Sequence, residues 1–195
     1  MTEQTDPRVW IVGAGLQGCA IALELAQRGQ PVVLLDQDAQ PMNRASLRNE
    51  GKIHLGLIYA ADPSGATARV QLRGALAFLP LLARWLGGQV AAALPVSTPF
   101  AYLVARDSLL SPAELARHFD RLQALYEHWC AAHPEADYLG QRPSRLAWPA
   151  TPGEHAGLAL AAGESVFSTA ERAIDTDALA GAVRAAVMSH PLIEW

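Results

Sequence analysis

An α/β fold is predicted for this chain of 195 residues by three observations. Two short apolar runs, Val9 to Val12 and Val32 to Leu35, flank a stretch of helical periodicity. The first run leads directly into a G-x-G-x-x-G pattern at Gly13, Gly15 and Gly18. The second run ends in an acid, Asp36. Strand, tight loop, helix, strand and acid, in that order, make a Rossmann-like unit.

Each part of that unit has a physical reason. Val9 to Val12 is apolar throughout and long enough for a buried strand. Gly13 lets the chain turn sharply after it. Gly15 presents no side chain, so a diphosphate can approach the backbone. Gly18 allows the helix to lie close to the sheet. Ala22, Leu23, Leu25 and Ala26 mark the helix, and Gly29 stops it. The unpaired N–H groups of its first turn, with the helix dipole, favour a bound anion. Asp36 lies 23 residues after Gly13. A carboxylate there grips adenosine ribose hydroxyls and repels a 2′-phosphate, so NADP is the least favoured dinucleotide. The alternative is a glycine-rich turn in an ordinary α/β protein.

Composition narrows the class. Hydrophobic residues make up 51 % of the chain and the formal net charge is -4. A core of useful size is therefore expected. No basic block points to nucleic acid. No long uncharged apolar run predicts a membrane span. The N-terminus, M-T-E-Q-T-D-P, lacks the basic and apolar regions of an export signal. With only Cys19 and Cys130, no disulfide scaffold is expected, and a cytoplasmic setting fits best. Cys19 is read as a small packed residue; a lowered thiol pKa at the helix start is the alternative.

Residues 37–65 form the second informative stretch. Ser46 is expected to cap a short helix, with Asn49 at its third position. Arg44, Arg48 and Lys52 bring positive charge towards the diphosphate. Gly51 and Gly56 bracket Lys52, Ile53, His54 and Leu55. A solvated loop with scattered charges is the bland alternative.

The rest is read more coarsely. Residues 66–88 predict a helix broken or kinked at Pro80. Residues 90–106 look extended, with Phe100, Tyr102 and Val104 alternating and Leu103 opposite, so both faces are expected to be covered. Ser111-Pro112-Ala113-Glu114 is a capped helix start, and the aromatics that follow are read as core. Residues 134–165 carry short strands or turns. Ser165 to Ala170 is extended, and Asp175 or Thr176 caps a helix ending near Ser189. Leu192, Ile193 and Trp195 approach a further strand. His118, His128, His133, His155 and His190 are assigned to the surface or to local hydrogen bonds, and no metal site is expected.

The motifs V-G-A-G-L-Q-G-C-A-I-A-L-E-L-A-Q-R-G with Asp36, N-R-A-S-L-R-N-E-G-K-I-H-L-G and E-R-A-I-D-T-D-A-L together resemble the flavoprotein family of D-amino-acid oxidase, glycine and sarcosine oxidases and glycerol-3-phosphate dehydrogenase. The resemblance covers essentially the whole chain. It implies FAD, with Gly13, Gly15 and Gly18 on the diphosphate and Asp36 on the adenosine ribose. Arg44, Ala45 and Ser46 would line the adenine and pyrophosphate side. Asn49, Glu50, Gly51, Lys52 and Ile53 would run towards the flavin ring, with His54 near it and not covalently linked.

The resemblance also implies a reaction: hydride transfer to flavin N5 from a C–H next to an amine or hydroxyl, in a small amine or hydroxy-acid substrate. Family members are roughly twice as long. Residues 1–88 are therefore expected to be the N-terminal part of an incomplete Rossmann-like FAD-binding domain. Residues 89–165 would be part of a second, substrate-side α+β lobe, and 166–195 a segment returning to the first domain. A C-terminal half or second chain would complete the enzyme, and this portion alone is expected to be inactive. No catalytic residue is assigned. An NAD-dependent dehydrogenase and a non-catalytic dinucleotide-binding or scaffold protein are the alternatives.

Overall fold

The structure, a computed structural model, describes residues 7–151 and 153–195. The first six residues, which carry most of the N-terminal segment read above for an export signal, lie outside the described residues.

The chain opens with β1 (Val9–Val12), α1 (Leu16–Gln27) and β2 (Val32–Leu35). A two-residue strand, β3 (Lys52–Ile53), and a single 3₁₀ turn at Leu57–Tyr59 follow. Next come α2 (Ala66–Leu86), α3 (Gly88–Ala92), β4 (Ala101–Val104) and α4 (Pro112–Ala132). The last elements are β5 (Ala147–Pro149), β6 (Ser165–Thr169), β7 (Arg172–Ala173), α5 (Thr176–Ser189) and β8 (Ile193–Glu194).

Two compact units emerge. Among the described residues the first comprises 7–51, 81–95 and 174–195, and the second 52–80, 96–151 and 153–173. These compact units divide the chain at other points than the sequence boundaries after Gly88 and Ser165. The reason is β-pairing: Lys52–Ile53 is antiparallel to Arg172–Ala173, which draws 52–80 into the second unit.

The first unit holds a parallel sheet in the order β1-β2-β8, with Val9 to Val12 beside Val32 to Leu35 and Ile193 beside Val32. α1 buries Cys19, Ala22, Leu23 and Ala26. α5 buries Leu179, Ala180, Val183 and Val187, and the two helices touch. The expected cap is present, since the Asp175 side chain accepts the Ala178 N–H at 2.8 Å. β2 is buried over Val32 to Leu34. β1 is not the buried strand that its composition suggests. Trp10 is 57 % and Val12 86 % exposed, because β1 is the sheet's edge and has a strand on one side only.

The second unit packs β4-β6-β5, an antiparallel sheet, against helices. Its core gathers Leu55, Leu72, Leu76, Phe119, Leu122 and Phe167. Phe119 and Tyr126 are buried as expected. The capping box at Ser111 forms in full, with the Glu114 carboxylate returning to the Ser111 N–H. Tyr102 and Val104 turn inward while Leu103 is 49 % exposed, so only one face of β4 is covered. α2 is continuous through Pro80, so the expected break does not occur. Residues 88–92 form a short helix rather than extended chain.

Candidate functional site: the glycine loop

The loop after β1 is organised by backbone donors. Gly13 has φ +104°, a conformation that a side chain opposes. Its N–H donates to the Leu35 carbonyl at 2.7 Å, tying the end of β1 to the end of β2. Asp36 follows β2 immediately and turns towards the loop. Its Oδ2 accepts the Ala14 N–H at 2.6 Å and its Oδ1 the Asp38 N–H at 3.1 Å. The Ala14 bond, and secondly the Asp38 bond, holds the Asp36 carboxyl below the usual carboxylate range.

Gly18 is required by close approach. A Cβ on it would stand 1.8 Å from the Gly13 carbonyl oxygen. A Cβ on Gly15 would meet the Ser46 Oγ at 3.0 Å. That hydroxyl accepts the Leu16 N–H at 2.8 Å, so Ser46 caps α1 from thirty residues away. Ser46 does not start a helix of its own: 44–48 is a turn closed by Arg48 N–H onto the Arg44 carbonyl. The expectation of a second helix N-terminus is therefore corrected. Local spacing suggested it, but the serine hydroxyl is taken by α1. The N–H groups of Gly15, Gln17 and Gly18 have no acceptor among the described residues. A helix start with three open donors, a bare glycine flank and a carboxylate beside it fits a diphosphate nucleotide.

The neighbouring loop adds charge and shape. Asp38, Asn43, Arg44, Ala45 and Arg48 line an open cleft of about 540 Å³. Arg44 grips Asp38 through two nitrogens, at 2.7 and 2.8 Å. This pair pushes the Arg44 value up and the Asp38 value down. The Arg44 charge is thus paired in place with Asp38, which the sequence alone did not reveal. Asn49 closes the turn onto the Ala45 and Ser46 carbonyls, and its Oδ1 accepts the Gly51 N–H at 2.8 Å. Glu50 is exposed. Gly51 lies so close to α5's approach that a Cβ would stand 2.1 Å from the Ile174 carbonyl oxygen.

Gly13, Gly15, Gly18, Asp36, Arg44, Ala45, Ser46, Asn49, Glu50 and Gly51 all belong to the first unit, whereas Lys52, Ile53 and His54 belong to the second. There the Lys52 ammonium sits over the Phe100 ring at 4.6 Å, and Ile53 lies in β3. His54 Nδ1 stands 3.2 Å from Glu171 Oε1. Sequence reasoning gave Glu171 no role. The available signal was an acid that directly follows the extended stretch Ser165 to Ala170 and opens the motif E-R-A-I-D-T-D-A-L.

Cys19 is fully buried, and burial pushes its thiol up to about 11. It is a packed residue, its thiol raised rather than lowered by burial. Among the assigned histidines, His118 is buried with Nε2 3.0 Å from the Gly56 carbonyl oxygen. His133 stacks on Trp129 at 3.9 Å, and His155 meets Ser168 at 2.9 Å.

A family model described as "FAD dependent oxidoreductase" matches residues 8–190. The tRNA 5-methylaminomethyl-2-thiouridine biosynthesis bifunctional protein MnmC of Marinobacter nauticus is 48 % identical over 56 residues, 29 % of this chain and 9 % of that protein. Two solved structures share the fold across 96 % of the chain and 46 % of theirs. Iminodiacetate oxidase from Chelativorans sp. BNC1 superposes with TM-score 0.58 at 24 % identity. Glycine oxidase from Geobacillus kaustophilus does so with TM-score 0.60 at 19 % identity. The chain thus spans less than half the length of these two solved relatives, and a smaller part of the curated one. No described helix is long and apolar enough to cross a membrane.

Proposed function

Because the chain belongs to the FAD dependent oxidoreductase family, we propose that it forms the diphosphate-binding part of an enzyme that oxidises a C–H next to an amine or hydroxyl. The observation carrying this reading is the loop at Gly13 to Gly18, with its open N–H groups and Asp36 at its side. Gly13, Gly15 and Gly18 would hold the diphosphate, and Asp36 the adenosine ribose. Arg44, Ala45 and Ser46 would border the adenine and pyrophosphate side. Asn49, Glu50, Gly51, Lys52, Ile53 and His54 would serve the flavin side. The NAD reading uses the same loop, but the family match favours FAD.

FAD, when bound, would supply the redox chemistry. The chain's own part is to bind and orient. The open backbone N–H groups would hold the diphosphate in place. The Asp36 carboxylate, held ionised by the Ala14 N–H, would accept from ribose hydroxyls. The Arg44–Asp38 pair fixes the wall of the neighbouring cleft.

The substrate class in this reading is a small amine or hydroxy acid. The second unit, with its mixed α and β content, would belong to the substrate side. Further chain, in the same polypeptide or a second one, would complete the sheet along the exposed edge of β1. On this view these 195 residues are inactive alone. A cytoplasmic setting is part of the same proposal, supported by the free thiols of Cys19 and Cys130. The test is a visible spectrum and intact mass of the purified protein after incubation with FAD. Flavin absorbance that survives gel filtration and is released on denaturation supports the reading. A colourless protein that takes up NADH instead would overturn it.

A further inference from the structure

Glu171 is the one acidic residue in the buried class among the described residues, with 4 % exposure. It lies between β6 and β7, and its backbone is fixed on both sides. Its N–H donates to Thr169 Oγ1 at 3.1 Å, and its carbonyl accepts the Phe100 N–H at 2.8 Å. A buried carboxylate is costly unless its oxygens are matched by donors. Here Oε2 accepts the Leu55 N–H at 2.9 Å, and Oε1 faces His54 Nδ1 at 3.2 Å. Among the described residues His54 is its single ion-pair partner. The nearby Tyr102 and Tyr138 phenols are pushed up, first by burial and further by the Glu171 charge, so they stay neutral.

This arrangement constrains the imidazole. An ionised carboxylate only accepts hydrogen bonds, so the His54 nitrogen facing it must carry the proton. In the neutral ring the other nitrogen, Nε2, is then bare. The ring has little freedom to turn away, since its side chain is 21 % exposed and meets Tyr59 edge-on at 6.4 Å. The same carboxylate holds the next backbone N–H, at Leu55, so a swing of Glu171 away from His54 would strand a buried donor.

We propose that Glu171 is a positioning residue that fixes His54 as the Nδ1–H tautomer, leaving Nε2 as a lone-pair nitrogen. The value of that nitrogen to catalysis rests on the reading of His54 as a flavin-side residue. The tautomer itself does not, so the two can fail separately.

A long-range proton–nitrogen correlation spectrum of the labelled protein, at mildly alkaline pH and without flavin, reads the tautomer directly. The wild type is expected to show a protonated Nδ1 and a bare Nε2 at His54. Glu171→Gln is the discriminating variant. The Leu55 N–H needs an acceptor, so the new amide oxygen goes to it. The amide NH₂ is then turned on His54 Nδ1, which has to accept. The two ring-nitrogen signals are therefore expected to exchange character while the fold persists. A wild-type His54 protonated on Nε2 would overturn the proposal without any variant. So would a folded Glu171→Gln protein whose His54 signals do not move, which would leave Glu171 as a structural clamp on Leu55 alone. Glu171→Asp, too short to span both partners, should lose the Nδ1–H preference and give a mixture of tautomers. If it keeps the wild-type tautomer, the proposal fails.

Discussion

The glycine loop and the Glu171 clamp use the same bond, a carboxylate accepting backbone N–H, in opposite settings. Asp36 is exposed, and it ties Ala14 and Asp38 while much of its carboxylate surface still faces solvent. Glu171 is buried, and both its oxygens are spent inside the second unit. Around Asp36 three N–H groups remain open. Near Glu171 every buried polar side chain has a partner. An open set of oriented donors is a receptor for an anion. A closed set is a brace that fixes the shape of something else. Loss of the carboxylate should therefore tell differently in the two regions, at Asp36 in ligand affinity and at Glu171 in stability and in the state of His54.

The steric floor of the loop is the harshest way to break that contrast. Gly18→Val places side-chain atoms where the Gly13 carbonyl already stands. It should cost at least ~3 kcal/mol of stability, read from chemical denaturation midpoints, as overpacking against backbone does. A loss under about 1 kcal/mol would mean that the loop can relax and is no rigid cradle. Next comes the brace. Glu171→Ala strands the Leu55 N–H and His54 Nδ1, and should lower stability by roughly 2–3 kcal/mol. It should leave the loop's own hydrogen bonds unchanged. An unaltered melting curve would show that the clamp is dispensable.

Asp36→Asn sharpens the other side. The amide oxygen can still accept the Ala14 N–H, so the fold should hold. FAD affinity should fall about tenfold through loss of the charged acceptor, by isothermal titration. Equal affinity would detach Asp36 from the ribose. The smallest effect is expected from Ser46→Ala, which removes the cap on Leu16 and should cost about 1 kcal/mol by thermal melting.

What could be read from the sequence follows from how far apart the partners are. β1, α1, β2 and Asp36 were legible because each signal is local: an apolar run, glycines at fixed offsets, an acid after a strand. The caps at Ser111 and Asp175 were legible for the same reason, since each bond spans three residues. The Ser46 cap spans 30 residues and the Glu171–His54 contact 117, and no spacing rule reaches that far. The exposure of Trp10 and Val12 was missed because composition reports that a strand is apolar and not what lies beside it. Arg44 was counted as free charge because its partner, Asp38, sits across a turn whose shape only the structure supplies.

The claim on which the account rests is the proposal that the Gly13–Gly18 turn, where a side chain on Gly15 would crowd the Ser46 hydroxyl, receives the cofactor's phosphates. Titrating the wild-type protein and Gly15→Val with FAD, and following flavin fluorescence, tests it most directly. The account predicts saturable binding by the wild type and none by the variant, with the secondary structure of both alike by circular dichroism. Equal affinities would contradict it, because a side chain at that position would then be indifferent to the ligand.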